Sequence, residues 1–192
     1  IMVCLMLLRR QMEYTEIIRA GGWETLPGGI RSLHGARITV LGTGDIGTEF
    51  ARRAQAFHPA CITGVRRTVR SSDPAFTSIH AIAELDSVLP ETDLLVMALP
   101  STAETVGILS RERIALLPDS AFVVNVGRGT AIDQEALCDA LNAGRLAGAA
   151  LDVVVPEPLP ADHPLRRAKN LLLTPHVAGN MTLGYTCDKS VQ

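Results

Sequence analysis

The run Ile38-Thr39-Val40-Leu41 leads directly into Gly42-Thr43-Gly44-Asp45-Ile46-Gly47, after which Ile46, Phe50, Ala51, Ala54 and Phe57 recur at helical spacing. That order predicts a buried strand, a tight turn and an amphipathic helix. The three glycines have different tasks in such a turn. Gly42 permits the turn itself, Gly44 lets the backbone approach a pyrophosphate, and Gly47 lets the helix pack tightly on the strand, while the unpaired first amides of the helix face the anion. Glycines at this spacing also occur in ordinary loops; the flanking strand and helix are what make this a dinucleotide site.

The rest of the chain repeats the alternation. Residues 60–65 read as a second strand, 79–89 as a helix, 93–98 as a third apolar run ending in Leu99-Pro100, 111–117 as a short helix and 121–126 as a fourth strand. Asp133 caps a helix whose Ala136, Leu137, Ala140 and Leu141 share a face and which stops before Gly144; residues 147–151 and 171–174 complete the strands. Strands without polar alternation, separated by helices, imply a parallel sheet covered on both faces. The expected fold is α/β, a doubly wound parallel sheet of Rossmann type. Ahead of it, residues 3–20 read as one helix, apolar all round at first and stopped by Gly21-Gly22, and residues 23–33 as a loop.

Composition narrows the function classes. With 18 Lys and Arg against 20 Asp and Glu and no basic cluster, nucleic acid is not an expected partner. Cys4, Cys61, Cys138 and Cys187 lack C-x-x-C spacing and read as reduced, buried thiols of a cytoplasmic protein, with no metal site. Residues 1–8 are all apolar or cysteine, but no basic stretch precedes them and Arg9-Arg10 ends the run far short of a span of about 20 residues. Neither a signal peptide nor a membrane anchor is expected, and a start at Ile within a helical pattern reads as a piece of a longer chain.

In open parallel sheets, ligands sit beyond the carboxyl ends of the strands. There stand Asn125-Val126-Gly127-Arg128-Gly129, then Asp152 with Glu157, then Thr174-Pro175-His176-Val177-Ala178-Gly179. An arginine can fork onto a carboxylate, a histidine can move a proton near neutral pH, and an adjacent carboxylate can hold its tautomer. Singly, Arg128 also reads as a surface arginine, Glu157 as a solvated loop acid and His176 as a packed histidine. At the ends of consecutive strands they suit hydride transfer between a nicotinamide and C2 of a 2-keto or 2-hydroxy acid.

The glycine motif, Leu99-Pro100, the segment from Asn125 to Gly129, the segment from Asp152 to Glu157-Pro158 and the segment from Pro175 to Gly179 resemble, in order and spacing, the D-isomer-specific 2-hydroxyacid dehydrogenases. The resemblance covers nearly the whole chain. It implies that Arg128 binds the substrate carboxylate and carbonyl, that His176 is the acid/base and that Glu157 is its partner. For the cofactor it implies the glycine turn of Gly42, Gly44 and Gly47 with the backbone of Asp45 and Ile46 at the pyrophosphate. Leu99-Pro100 and Val126-Gly127 come near the ribose and nicotinamide, Asp152 reaches the nicotinamide amide, and Ala178 and Gly179 complete the site. Residues 1–22 resemble the family's helix linking two domains and forming part of a homodimer surface, residues 23–179 the dinucleotide domain, and residues 180–192 the start of a helix returning to the substrate domain.

Two departures matter. Family members that use NAD usually carry an acid about 20 residues beyond the glycines; here Arg66, Arg67 and Thr68 stand in that region and favour NADP(H) over NAD(H). The family's substrate domain, a unit of roughly 100 residues, is largely absent from this sequence. Without its wall of the cleft, the expectation is cofactor binding with little turnover. A dinucleotide-dependent corepressor is the rival of another class. A formate-dehydrogenase-like enzyme is expected to pair its histidine with Gln, where Glu157 stands here.

Overall fold

The computed structural model describes residues 1–69 and 72–179; the expected returning helix at 180–192 lies outside the described residues. The N-terminal segment is two helices rather than one, α1 (Met2–Leu8) and α2 (Gln11–Arg19). The Leu8 carbonyl, which an unbroken helix would offer to Met12, accepts instead from the Arg31 amide at 2.8 Å. Arg10 turns left-handed at φ +54° and its guanidinium donates to Glu13 and to the Pro27 carbonyl. The break gives the two halves different surroundings. Cys4, Leu7 and Leu8 of α1 are buried, whereas α2 buries no residue.

The sheet is built from β1 (Arg37–Leu41), β2 (Cys61–Arg66), β3 (Ser78–Ala81), β4 (Leu94–Met97), β5 (Phe122–Asn125), β6 (Gly148–Leu151) and β7 (Leu171–Leu173). Its order is β3-β2-β1-β4-β5-β6-β7 with every pairing parallel. The expected doubly wound sheet is therefore present: the chain winds outward from β1 to β3, returns to pair β4 with β1, and winds outward again. The connecting helices are α3 (Asp45–Gln55), α4 (Leu85–Val88), α5 (Arg111–Leu116) and α6 (Gln134–Asn142).

Alternation along the strands divides the core into two layers. Ile38, Val40, Leu94, Val96, Phe122, Val124, Ala150 and Leu172 face α1 and α3. Leu41, Leu95, Met97, Val123, Ala149, Leu151 and Leu171 face the other side, covered by Leu85, Ile114, Leu137 and Leu141. Two threonines within this interior, Thr39 and Thr92, satisfy each other at 2.7 Å.

The helix expected over 79–89 is a correction. Its first part is the edge strand β3, after which a 3₁₀ turn (Ile82–Glu84) and α4 follow. Thr77 donates its amide to the Ile62 carbonyl at 2.8 Å, and its hydroxyl accepts from the Ile62 amide at 3.0 Å, which draws the segment onto β2. Ile79 packs into the layer shared with α1 and α3, whereas Ile82, Leu85 and Leu89 pack into the opposite layer, so their helical spacing in sequence does not correspond to one buried face.

Candidate active site

Backbone contact builds the turn after β1. Gly42 lies at φ +104°, and a Cβ there would stand 2.7 Å from the Ala98 carbonyl oxygen; on Gly47 it would stand 1.9 Å from the carbonyl oxygen of Gly42. Neither position has space for a side chain. Gly44 is different. Its φ of −79° suits any residue, and no atom lies within 4 Å of where its Cβ would be. Its missing side chain leaves room at the N-terminus of α3, where the first amides lack helical acceptors and Asp45 and Ile46 are exposed. Val65 accepts from the Gly42 amide at 2.9 Å, so Arg66 at the end of β2, with exposed Arg67 and Thr68 after it, lies beside this turn.

The loops after β4 and β5 continue the same edge. A Cβ on Gly127 would approach the Leu99 carbonyl oxygen to 2.6 Å, so the two loops pack backbone to backbone, with Leu99 buried and Pro100 exposed. Buried Asn125 shapes the second loop: its Oδ1 accepts from the Gly127 amide and its Nδ2 donates to the Arg128 carbonyl, both at 3.0 Å. Val126 is half-buried in this loop, and exposed Arg128 donates to the Gly127 carbonyl at 2.7 Å. A Cβ on Gly129 would come within 2.4 Å of the Val154 backbone, which sets the arginine's turn against the segment after β6.

That segment carries the remaining groups. The buried Asp152 carboxylate accepts at Oδ1 from the Thr174 hydroxyl (2.6 Å) and the Val177 amide (2.9 Å), and at Oδ2 from the Ala178 amide (2.9 Å). Its carbonyl accepts from the His176 amide at 2.8 Å. His176 lies at φ +55°. A left-handed residue that is not glycine costs about 1–2 kcal/mol and persists only where its surroundings enforce it. The His176 Nδ1–H donates to Glu157 Oε2 at 2.8 Å, and Glu157 Oε1 accepts from the Val154 amide at 3.0 Å. Since a carboxylate only accepts, this pairing places the ring proton on Nδ1 and leaves Nε2 for proton exchange.

The hydrogen bond from His176, then that from the Val154 amide, hold the Glu157 carboxyl below the usual glutamate range. Burial pushes Asp152 up, but Thr174, the Ala178 and Val177 amides and nearby His176 together outweigh it and lower its pKa. Of the residues expected from sequence, the structure joins Glu157 to His176 and ties Asp152 to the backbone at 177–178; Arg128 meets them only through the packing of Gly129 on Val154. Gly179 follows, exposed, with nothing within 4 Å of a Cβ position. Asn125 and Thr174 open strand-end segments that the sequence singled out without giving either residue a role; the structure makes both shape the site. Among the described residues no group of three or more His, Cys, Asp or Glu could hold a metal, and no helix is long and apolar enough to cross a membrane.

Residues 1–178 match the family model described as D-isomer specific 2-hydroxyacid dehydrogenase, NAD binding domain. The chain belongs to this family. It is 38% identical over 176 residues to glyoxylate/hydroxypyruvate reductase B of Pectobacterium carotovorum subsp. carotovorum, covering 88% of this chain and 53% of that protein. The chain thus spans about half the length of the curated relatives it matches. Among solved structures, a D-isomer specific 2-hydroxyacid dehydrogenase from Xanthobacter autotrophicus in complex with NADPH and MES superposes with a TM-score of 0.84 at 32% identity, covering 98% of this chain and 76% of that one. An NADPH-dependent glyoxylate/hydroxypyruvate reductase from Sinorhizobium meliloti gives 0.84 at 29% identity, covering 95% of this chain and 91% of that one. The dehydrogenase family places this seven-stranded unit as its nucleotide-binding domain.

Proposed function

We propose that this chain is the dinucleotide-binding, proton-transferring half of an oxidoreductase that moves a hydride between NADP(H) and C2 of a 2-keto or 2-hydroxy acid. The observation that carries the reading is the His176–Glu157 pair, 2.8 Å apart, on the same sheet edge as the opening at Gly44. The nicotinamide, when bound, supplies or accepts the hydride. The protein's residues do the rest. The amides of Asp45 and Ile46, with Gly42, Gly44 and Gly47, would hold the pyrophosphate, and the backbone at Leu99, Pro100, Val126 and Gly127 would hold the ribose and nicotinamide. Asp152 would hold the nicotinamide amide, and Ala178 and Gly179 would complete that side of the site. Arg128 forks onto the substrate carboxylate. His176 Nε2 gives its proton to the carbonyl oxygen in reduction and takes it from the hydroxyl in oxidation, while Glu157 balances the imidazolium charge.

Arg66, Arg67 and Thr68 support the choice of NADP(H): two guanidinium groups and a hydroxyl suit a 2′-phosphate, and the exit from β2 lacks an acid for a free ribose hydroxyl. The names of the relatives support small 2-keto acids of the glyoxylate and hydroxypyruvate type. The domain reading holds residues 1–22 as a linker and homodimer surface. Met12, Ile18 and Trp23 support it, being exposed apolar residues on and beside α2. Among the described residues Cys4 and Cys138 are buried free thiols and Cys61 is a free thiol only half-buried, against the expectation of burial; they support a cytoplasmic location. The isolated chain is expected to bind cofactor and turn over little.

Calorimetric titration with NADPH and NADH, repeated on Arg66→Asp, tests the reading. Tighter binding of NADPH, with the preference lowered about tenfold or more by the substitution, is the expected result. Failure of both cofactors to bind would overturn it.

A further inference from the structure

We propose that Thr174 is a positioning residue: its hydroxyl fixes the Asp152 carboxylate, which pins the Val177 and Ala178 amides and so holds His176 in the left-handed turn that presents its imidazole to Glu157. The proposal rests on the reading of His176 as the proton-transfer group.

Three features carry it. The first is placement. The parallel register sets Leu151 beside Leu173, so Asp152 and Thr174 are the next rung beyond the paired strands, and Thr174 donates its amide to the Leu151 carbonyl at 3.1 Å. Their side chains meet at 2.6 Å in the half-buried angle between the two strand ends. The second is the chain itself. Thr174 precedes Pro175, which disfavours helical backbone at Thr174 and removes one amide from the turn. The amides that follow, at 177 and 178, are satisfied by the Asp152 carboxylate, and that of His176 is shared between the Asp152 carbonyl at 2.8 Å and the Thr174 carbonyl at 3.0 Å.

The third is rotational freedom. A carboxylate on a single Cβ turns about its terminal torsion with little hindrance, since that torsion is broad. The hydroxyl of Thr174 is the side-chain donor that selects one orientation, in which Oδ1 faces Val177 and Oδ2 faces Ala178. Without it the two amides lose a fixed acceptor, and His176 is released from a conformation that a β-substituted residue does not otherwise hold. Glu157 cannot substitute for this restraint, because it touches the ring of His176 and not its backbone.

The test compares Thr174→Val, which keeps the shape and removes the donor, with Thr174→Ser, which keeps the donor, in the whole chain without cofactor. Ring nitrogen NMR of His176 reads its tautomer, and amide exchange reads Val177 and Ala178. Thr174→Val is expected to lose the fixed Nδ1–H signature, as Glu157→Gln does, and to speed exchange of both amides by about tenfold or more; Thr174→Ser is expected to retain both. An unchanged tautomer and unchanged protection in Thr174→Val, or a Thr174→Ser that behaves like it, would overturn the proposal. Should Thr174→Val not fold, Thr174→Ala, which also lacks the hydroxyl, takes its place: faster exchange of the Val177 and Ala178 amides than in Thr174→Ser supports the proposal, and equal protection overturns it. NADPH titration of the unmodified chain reports separately on the dinucleotide reading, so either can fail without the other.

Discussion

The loop after β1 and the loops after β6 and β7 share one edge of the sheet, yet they are held by different means. The first is shaped by atoms that are missing: at Gly42 and Gly47 a single added carbon would meet backbone at 2.7 and 1.9 Å. The second is shaped by added groups, with one carboxylate gathering a hydroxyl and two amides from 22 to 26 residues away. Steric exclusion is short-ranged and can be specified by neighbours in sequence. Hydrogen-bond collection needs partners that only a completed sheet brings together. The first loop should accordingly fail abruptly under substitution, and the second by degrees.

The largest expected effect separates two glycines of the same motif. Gly47→Ala should lower unfolding free energy by about 3–5 kcal/mol, because the carbonyl it strikes belongs to the turn itself and α3 must move off β1. Gly44→Ala should cost only about 1 kcal/mol, the usual penalty of alanine at a helix N-cap, since space and φ both admit a methyl group, while weakening NADPH by about tenfold or more. Urea unfolding and calorimetry on the two variants would show this; equal destabilisation by both would remove the distinction between a packing glycine and a ligand glycine.

Next comes Asp152→Asn. An amide nitrogen in place of Oδ1 or Oδ2 faces a donor with a donor, and a loss of about 2 kcal/mol is expected. The pH dependence has a definite sign. The folded pKa of Asp152 is lowered, so the carboxylate's contribution is complete above the unfolded value of about 3.9 and is lost as pH falls through the lower folded value. Unfolding from pH 7 to pH 3 should show the advantage of Asp152 over Asn narrowing on the acid side. A constant difference would deny that the ionised form holds the loop.

The smallest stability effect is expected at Glu157. Its pair with His176 is more than a third exposed on both sides, so Glu157→Gln should change stability by no more than about 0.5 kcal/mol. In an assembled enzyme with the opposing domain, the same change should lower turnover by about 100-fold, through loss of imidazole orientation and charge balance. Small loss of stability with large loss of turnover would mark this residue as belonging to chemistry rather than to folding.

Much of the architecture is legible in the sequence. Strand, glycine turn and helix at residues 37–55 are dictated by local steric rules, and the unbroken apolar runs at β4, β5 and β6 announce a sheet covered on both faces. Positions at strand ends single out Arg128, Asp152, Glu157 and His176 because an α/β sheet offers its ligands only that edge. Elsewhere spacing misleads. Residues 79–89 carry helical periodicity, yet Thr77 draws the first of them onto β2; residues 3–20 read as one helix, apolar at first and mixed later, yet the Arg31 amide takes the Leu8 carbonyl and ends α1.

What the sequence determined by itself was the kind of sheet and the edge at which its candidate polar groups gather, because those follow from the pattern of apolar residues and glycines among near neighbours; the strand order, with β3 at its edge, was not among them. What only the tertiary structure decided was the use of the polar groups: Asp152 spent on Thr174 and two amides, His176 turned left-handed, its Nδ1 proton aimed at Glu157. Those choices depend on which donors arrive within about 3 Å of an acceptor once distant strands have paired, and no local pattern encodes that arrival.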